Sequence, residues 1–323
     1  MLVLGLDTSN YATSLAVLDS EQMRLICDVK RFLPVREGQL GLRQSDAVFH
    51  HTQALPQLLE EIGAQVDLRT VGAIGVSGCP RPVEGSYMPC FTTGVTFAQG
   101  MSAIHGIPLI KTTHQQGHIA SALFACGEPE LFEKDVLVFH VSGGTTDLLL
   151  CHGTQVLAQL GTSSDLYAGQ AVDRIGVRLG FAFPAGVEVS RLAEACEEEM
   201  TPKVSVKGCT CSLSGLENQC VKLLEQGYSP EYAAKYCLLA VARTLEKMML
   251  AALKEHPKLP VVFAGGVMSS RVVRGYMQKK HPWVRFVDGK FASDNAIGVS
   301  VIAAREVLRS AAENAGQPEG AQL

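Results

Sequence analysis

The sequence predicts an α/β fold, because short apolar runs typical of strands alternate with longer amphipathic segments typical of helices. Two segments share one arrangement of strand, polar turn and strand: MLVLGLDTSNYATSLAVLD at residues 1–19 and DVLVFHVSGGTTDLLLCHG at residues 135–153. Thr13 and Thr145 occupy the same place in the two hairpins. The repeat predicts a duplicated domain with both turns facing one cleft. The alternative is two unrelated hairpins, because hairpins are common.

Between the hairpins, the apolar spacing in residues 52–66 predicts an amphipathic helix, and TVGAIGVSG at 70–78 predicts a buried strand. A loop rich in Gly, Pro and Cys follows at 79–90. It leads into a predicted helix at 91–106 and a short strand, IPLIK, at 107–111.

After the second hairpin, residues 164–180 and 184–200 predict two helices, and residues 229–256 predict a long one. Strand, loop and helix recur in residues 259–281, and residues 293–315 predict a closing helix. This alternation supports the α/β class.

Composition limits the classes of function. A chain of 323 residues favours two domains. Ten scattered cysteines without a C-x-x-C pair indicate a reduced, cytoplasmic protein, and no apolar run is long enough to span a bilayer. The first residues lack a basic segment and carry Asp7, so we expect no export and no membrane association. A net charge of −4 argues against gripping nucleic acid without a local basic patch or a partner.

The segment THQQGHIA carries two histidines four positions apart. Thr113 and Gln116 form a capping-box pattern, which places His114 and His118 on one face at a helix start. Imidazoles at this spacing can bind one metal ion, and the alternative is a solvent-facing pair. Gln115 stands where a zinc protease of the H-E-x-x-H type has its glutamate, so the pattern argues against a metalloprotease.

Two glycine turns could hold phosphate. SGGTT at 142–146 offers backbone amides in a turn, and AGGVMSS at 264–270 joins a strand to a helix start. Neither matches the Walker pattern, and the alternative for each is a simple tight turn.

Taken in order, eight motifs resemble those of the TsaD/Gcp/YgjD family, the tRNA N6-adenosine threonylcarbamoyltransferases. They are GLDTSNYATSLAV, THQQGH, HVSGGTTDLLL, DLYAGQAVDRIG, FPAGVEVSRLA, CSLSGLENQ, FAGGVMSSR and FASDNAIG. The resemblance covers nearly the whole chain. It implies the actin/Hsp70/sugar-kinase architecture, with two ribonuclease-H-like domains around a nucleotide cleft. The first would be residues 1–112, completed by helix 296–315, and the second, with the metal and nucleotide site, residues 113–295.

The resemblance also implies site residues. His114, His118, His140 and Asp294 would bind one iron or zinc ion, and ATP or an acyl-adenylate would be the bound nucleotide. Asp7 and Tyr11 occupy the motif to which catalysis is assigned, and Asp173 would bond ribose hydroxyls. The nucleotide and substrate contacts implied are His140, Val141, Ser142, Gly143, Gly144, Asp173, Gly186, Gly265, Gly266 and Ser270.

The implied reaction transfers a threonylcarbamoyl group from its adenylate to N6 of the adenosine beside the tRNA anticodon. The implied partners are tRNA and proteins similar to TsaB and TsaE, and the resemblance is compatible with a dimer. This chain departs from the family pattern E-T-S-C-D-E-T, because Tyr11 and Ala12 replace the acidic pair. Ser270 replaces the asparagine of G-G-V-S-A-N, and Thr145 follows S-G-G where histidine or asparagine is usual.

Three hypotheses about function follow. The first is the tRNA-modifying acyltransferase itself. The second is a divergent paralogue that binds metal and nucleotide and carbamoylates another acceptor. The third is a non-catalytic nucleotide-binding subunit paired with a true enzyme. The endopeptidase activity once attributed to this family is disfavoured, because no base or nucleophile stands beside the histidines.

Overall fold

The computed structural model describes residues 1–9, 11–34, 42–292 and 296–315. The chain divides into two units, Met1–Phe124 with Asp294–Leu323, and Ala125–Ser293. Residues 113–124 therefore lie in the first unit, whereas the sequence assigned them to the second. The reason is packing: Gly298 of the C-terminal helix lies directly against the Gly117 carbonyl, which ties this segment to the first unit.

The described part of the first unit holds five strands and four α-helices. Its elements are β1 (Leu2–Ser9), β2 (Ala12–Asp19), β3 (Arg24–Phe32), α1 (Gln44–Gly63), β4 (Val71–Cys79), α2 (Cys90–His105), β5 (Leu109–Thr113), α3 (His114–Ala125) and, from the end of the chain, α10 (Ala296–Ala315). A short 3-10 helix, Leu68–Thr70, precedes β4.

One sheet organises the first unit, in the order β3-β2-β1-β4-β5. Strands β1, β2 and β3 are antiparallel, whereas β4 and β5 run parallel to β1. Leu4, Leu6 and Val17 of the sheet pack with Leu55 and Leu58 of α1 in a fully buried core. Burial of such side chains contributes roughly 1.5–3 kcal/mol each.

The second unit follows the same plan. Its elements are β6 (Asp135–Val141), β7 (Thr146–His152), β8 (Gln155–Thr162), α4 (Ala168–Arg178), α5 (Gly186–Glu194), β9 (Ser205–Lys207), β10 (Thr210–Ser212), α6 (Gly215–Glu225), α7 (Pro230–Glu255), β11 (Val261–Ala264), α8 (Arg271–Lys280), β12 (Arg285–Phe286) and α9 (Gly289–Ala292). Two 3-10 turns, Pro129–Glu133 and Gly266–Ser269, precede β6 and α8.

The sheet of the second unit has the order β12-β11-β6-β7-β8. Strands β6, β7 and β8 are antiparallel, and β11 and β12 run parallel to β6. Both units thus share one plan: an antiparallel meander whose first strand also pairs with a parallel strand. The core lies between this sheet and α7, where Phe139 and Phe263 stack at 4.6 Å between ring centroids.

Both predicted hairpins are confirmed, and so is the α/β class. The sequence analysis missed β3 and β8, the third strand of each meander. Each lies at a sheet edge and carries exposed charged or polar residues, so neither shows the continuous apolar run of a central strand. No described helix is both long and apolar enough to cross a lipid bilayer.

Candidate functional site

In the first unit, Asp7 and His114 are paired at the ends of two strands. Asp7 lies near the end of β1, and His114 begins α3 directly after β5. Nδ1 of His114 donates to Oδ2 of Asp7 at 3.1 Å, and the Asp7 carboxylate is 1% exposed. Burial by itself would raise the pKa of Asp7, but the His114 imidazole holds that pKa below its usual value.

The predicted helix start is confirmed, with Thr113 as the capping residue of α3. The Gln116 amide donates to Oγ1 of Thr113 at 3.2 Å, and the helix begins at His114. The rings of His114 and His118 lie 4.6 Å apart between centroids, and both are half-buried. The sequence spacing therefore brings the two imidazoles together, as predicted.

These residues suit a transition metal. A carboxylate bonded to Nδ1 of His114 is the kind of partner that orients a metal-binding histidine. His140 lies half-buried on β6 of the second unit. Asp294 lies outside the described residues. Among the residues described, no group of three or more His, Cys, Asp or Glu side chains is placed to hold a metal ion. The four-residue metal site stays a prediction.

The turn between β1 and β2 presents Tyr11, whose side chain is 51% exposed. The Tyr11 carbonyl accepts from the Leu33 amide at 2.8 Å, which ties the turn to the end of β3. Ala12 begins β2 and supplies no proton acceptor. The structure therefore places no carboxylate at these two positions of the turn.

Sequence reasoning missed His51, which supports this turn from α1. Its Nδ1 lies 2.7 Å from Oγ1 of Thr13, and the side chain is fully buried. Within the described part of the chain, its Nε2 has no hydrogen-bond partner. Burial lowers the pKa of His51 to about 4, so the ring is neutral at neutral pH.

The second unit contains a cavity of about 640 Å³, a size typical of small-ligand sites. Six of the ten predicted nucleotide and substrate residues line it: Ser142, Gly143, Asp173, Gly186, Gly266 and Ser270. These six come from four separate parts of the chain.

The turn after β6 forms one wall of this cavity. The Ser142 amide donates to the Thr145 carbonyl at 2.9 Å, and the Gly144 amide donates to Oγ of Ser142 at 3.1 Å. The turn is also held by α4, because the Gly169 amide donates to the Ser142 carbonyl at 3.1 Å. Gly143 lies within this turn and lines the cavity, so its backbone amide is a candidate donor to an anion.

Gly169 is a site residue that sequence reasoning missed. A Cβ at this position would lie 2.5 Å from the Gly143 nitrogen, closer than any side chain tolerates. Only glycine lets α4 approach the turn this closely. The glycine in YAGQ offered no signal of its own, because its partner lies 26 positions earlier in the chain.

Asp173 and α5 form the opposite part of the lining. Oδ1 of Asp173 accepts from the Ala185 amide at 2.8 Å, which places the carboxylate beside the start of α5. The capping residue Ala185 supplies no side-chain cap to α5, and Gly186 and Val187 of the first turn line the cavity. A helix start of this kind favours an anion.

The turn at Gly265–Gly266 completes the site. Gly265 has φ +102°, and a Cβ there would lie 2.2 Å from the Val141 carbonyl oxygen, so its role is close packing on β6. Ser270 is buried, and its hydroxyl accepts from Oγ of Ser190 at 3.0 Å. His140, Val141, Gly144 and Gly265 do not line the cavity.

Charged residues at the rim were also missed. Arg191 pairs with Glu188 at 2.7 Å, and Arg271 pairs with Glu194 at 3.2 Å. The cavity is also lined by Arg191, Glu194 and Arg271. The charge of each arginine is partly neutralised by its glutamate partner.

Comparison with known proteins now decides the family. The sequence model of TsaD, tRNA N6-adenosine threonylcarbamoyltransferase, matches residues 39–300. The chain belongs to the TsaD family. A TsaD protein of Thermus thermophilus, named tRNA N6-adenosine threonylcarbamoyltransferase, is 30% identical over 312 residues, which cover 96% of this chain and 94% of that protein. One from Pyrobaculum neutrophilum is 25% identical over 93% of this chain and 87% of its own length.

Solved structures show the fold that TsaD proteins share with others. The activator of 2-hydroxyisocaproyl-CoA dehydratase from Clostridium difficile superposes with a TM-score of 0.56 at 14% identity, covering 99% of this chain and 100% of that one. HypF of T. kodakarensis gives 0.58 at 14% identity, covering 97% of this chain and 48% of HypF. A ROK family glucokinase from Streptomyces griseus gives 0.52 at 14% identity, covering 94% and 100%. The actin/Hsp70/sugar-kinase architecture is thereby confirmed.

Proposed function

We propose that this TsaD-family chain is an acyltransferase that moves a threonylcarbamoyl group from its adenylate to N6 of the adenosine beside the tRNA anticodon. The observation that carries the proposal is the cavity of the second unit. Ser142, Gly143, Asp173, Gly186, Gly266 and Ser270 come from four separate parts of the chain, yet all six line it. Coincidence is a poor account of such convergence.

Each part of the lining suits one part of an adenylate. The Gly143 amide and the uncapped start of α5 offer donors to a phosphate. Asp173 accepts one backbone hydrogen bond through Oδ1, so its second oxygen is available for a ribose hydroxyl. The hydroxyls of Ser190 and Ser270 supply further polar groups at the wall.

In the transfer, N6 of adenosine attacks the carbamoyl carbon. The bond from that carbon to the phosphate oxygen breaks, AMP leaves, and the amine loses a proton to a base. Backbone donors around the turn 142–144 would stabilise charge on the leaving phosphate, an effect worth about 2.7–4 kcal/mol per donor in other enzymes.

We propose that His114, His118, His140 and Asp294 hold one iron or zinc ion. When bound, such an ion would polarise an oxygen of the adenylate. The Asp7 carboxylate would orient His114 through the contact to its Nδ1.

A second candidate function rests on the turn at Tyr11 and Ala12. Without the acidic pair, the turn offers a phenol and a methyl group, and neither is a good base at neutral pH. We therefore keep the alternative of a paralogue that binds metal and nucleotide but carbamoylates another acceptor or serves as a non-catalytic subunit. The proposed partners are tRNA and proteins similar to TsaB and TsaE. We also propose that the protein acts in the cytoplasm, and the proposal is compatible with a dimer.

Purified protein incubated with threonylcarbamoyl-adenylate and a tRNA transcript tests the proposal, with mass spectrometry of the digested nucleosides as the measurement. Formation of threonylcarbamoyladenosine supports the transferase. ATP should also raise the melting temperature by mass action, less so for Asp173→Ala than for the exposed control Asp135→Asn. Nucleotide binding without product favours the second candidate function. If neither nucleotide binding nor product is found, both candidate functions are contradicted. Depletion of the gene, followed by the same nucleoside analysis, tests the function in cells.

A further inference from the structure

A groove lies in the first unit between the end of β3 and α1. It encloses about 370 Å³. The lining residues, which define the β3–α1 groove, are Arg31, Phe32, Leu33, Pro34, His50, Gln53, Ala54 and Gln57. The groove adjoins the turn of the first hairpin, because the Leu33 amide donates to the Tyr11 carbonyl at 2.8 Å.

The charge of this groove differs from that of the chain. The net charge is −4, yet the described residues that line the groove include an arginine and an imidazole and no carboxylate. The Arg31 guanidinium donates to Oε1 of Gln57, which holds it at the rim. Its only described ion pair, to Glu61, spans 3.7 Å between side chains that are about half exposed. Such a pair contributes little to stability. The guanidinium can therefore leave the Glu61 carboxylate and bind a phosphate instead.

Aromatic rings stand exposed beside these basic side chains. Phe32 is 66% exposed, with the Lys30 ammonium 5.3 Å from its ring centroid. Phe49 is 57% exposed and contacts the His50 ring edge-on at 5.6 Å. Tyr11 is 51% exposed on the adjoining turn. Exposed rings among cations are the arrangement on which unstacked bases of single-stranded RNA stack.

Two side-chain amides complete the chemistry. Gln53 and Gln57 are exposed on the face of α1 that lines the groove, one turn apart. An amide offers both a donor and an acceptor, so it can pair with the edge of a base.

We propose that the β3–α1 groove binds an unstacked nucleotide of a single-stranded RNA loop, with its base on Phe32 and its phosphate on Arg31. The identity of that RNA as an anticodon loop rests on the proposed function. The groove itself requires only single-stranded RNA. Because it adjoins the turn at Tyr11, a loop held there would be anchored next to the motif to which catalysis is assigned.

Fluorescence anisotropy with a labelled anticodon stem–loop RNA tests the groove, using the full-length protein at about 50 mM salt. Phe32→Ala removes the stacking surface and should weaken binding about tenfold or more. Arg31→Gln should weaken binding and lower the slope of log K against log salt by about 1. Arg24→Gln, an exposed arginine at the other end of β3, is the matched charge control, and Tyr228→Ala, an exposed tyrosine of the second unit, is the aromatic control. Both controls should bind like the wild type.

A fully paired RNA duplex should bind more weakly than the loop, and its binding should be insensitive to Phe32→Ala. Equal affinity of all variants for the loop, or no binding by the wild type, would overturn the proposal that the groove binds RNA. The nucleoside assay separates this outcome from the proposed function. Loop binding that depends on Phe32, with no product from the wild type, retains the groove and contradicts the transferase. Product formation together with equal loop affinity in all variants supports the transferase and contradicts RNA binding in the groove.

Discussion

The Asp7 carboxylate is the hydrogen-bond partner of the His114 ring, although 107 positions separate them in the sequence. Asp7 is almost completely buried, whereas the His114 side chain is 28% exposed. The carboxylate therefore holds the ring from inside the first unit. This relationship links the first motif of the chain to the histidine pair.

Asp7→Asn should lower metal affinity roughly 10- to 100-fold, because it removes the charge that orients a ligand while keeping the shape of the side chain. Elemental analysis after dialysis measures the effect, with His118→Ala expected to remove most of the metal. Asp28→Asn, an exposed aspartate of β3, serves as the control. Equal metal content in all four proteins would show that neither residue acts on a metal. A metal-free wild type would contradict the metal site itself.

His51 should make the first unit sensitive to mild acid. Burial lowers its pKa from 6.5 to about 4, so the unfolded chain binds a proton at pH values where the folded one does not. Stability is full above about pH 6.5 and falls as the pH drops toward about 4, by on the order of 3 kcal/mol in total. Urea denaturation followed by circular dichroism measures this slope. His51→Gln should reduce the slope of stability against pH. An unchanged slope in the variant would show that another group causes the acid sensitivity.

Asp165 should add a second loss of stability at lower pH. Burial tends to raise its pKa, but the hydroxyls of Ser212 and Ser214, each at 2.6 Å, and two backbone amides hold that pKa far below the usual value. A depressed pKa contributes stability above the unfolded value of about 3.9 and loses it as the pH falls further. Asp165→Asn should remove this step and expose the amides of Leu213 and Ser214, which donate to the carboxylate, to hydrogen exchange at neutral pH. Unchanged exchange there would contradict the role of the carboxylate.

Gly169→Ala should displace the turn 142–144 and weaken nucleotide binding. The added Cβ would lie 2.5 Å from the Gly143 nitrogen and 2.6 Å from the Ser142 carbonyl carbon. Overpacking of this kind costs roughly 1–3 kcal/mol. The ATP-induced rise in melting temperature should shrink, whereas Gly100→Ala, where a Cβ meets open space on α2, should keep it. An equal rise in the two variants would show that the turn does not contact nucleotide.

Tyr11→Asp together with Ala12→Glu should increase transfer to tRNA, because it restores carboxylates where the turn has none. General-base catalysis is worth roughly a hundredfold or more in rate. Wild-type transfer should therefore be weak beside a family member with the intact acidic pair, in a side-by-side nucleoside assay. Tyr87→Asp, at another exposed tyrosine of the first unit, is the control and should leave the transfer rate unchanged. Wild-type turnover equal to that of the intact family member would make the pair dispensable.

Local patterns account for what the sequence predicted correctly. Each hairpin is encoded by an apolar run, a polar turn and a second apolar run, and the start of α3 by Thr113 and Gln116. Such signals act over a few residues, so one stretch of chain is enough to reveal them. Strands β3 and β8 lacked a signal because an edge strand with one solvated face alternates in polarity.

The sequence by itself determined the α/β class, the duplicated hairpin, the histidine pair and, through the order of its motifs, the family. Only the tertiary structure decided which residues meet: Asp7 with His114, His51 with Thr13, Gly169 with Gly143, and Ser190 with Ser270. It also assigned residues 113–124 to the first unit and formed the β3–α1 groove that Phe32 lines. The physical reason is that burial, steric fit and hydrogen bonding between distant segments depend on how the sheets and helices pack, and no local pattern records that packing.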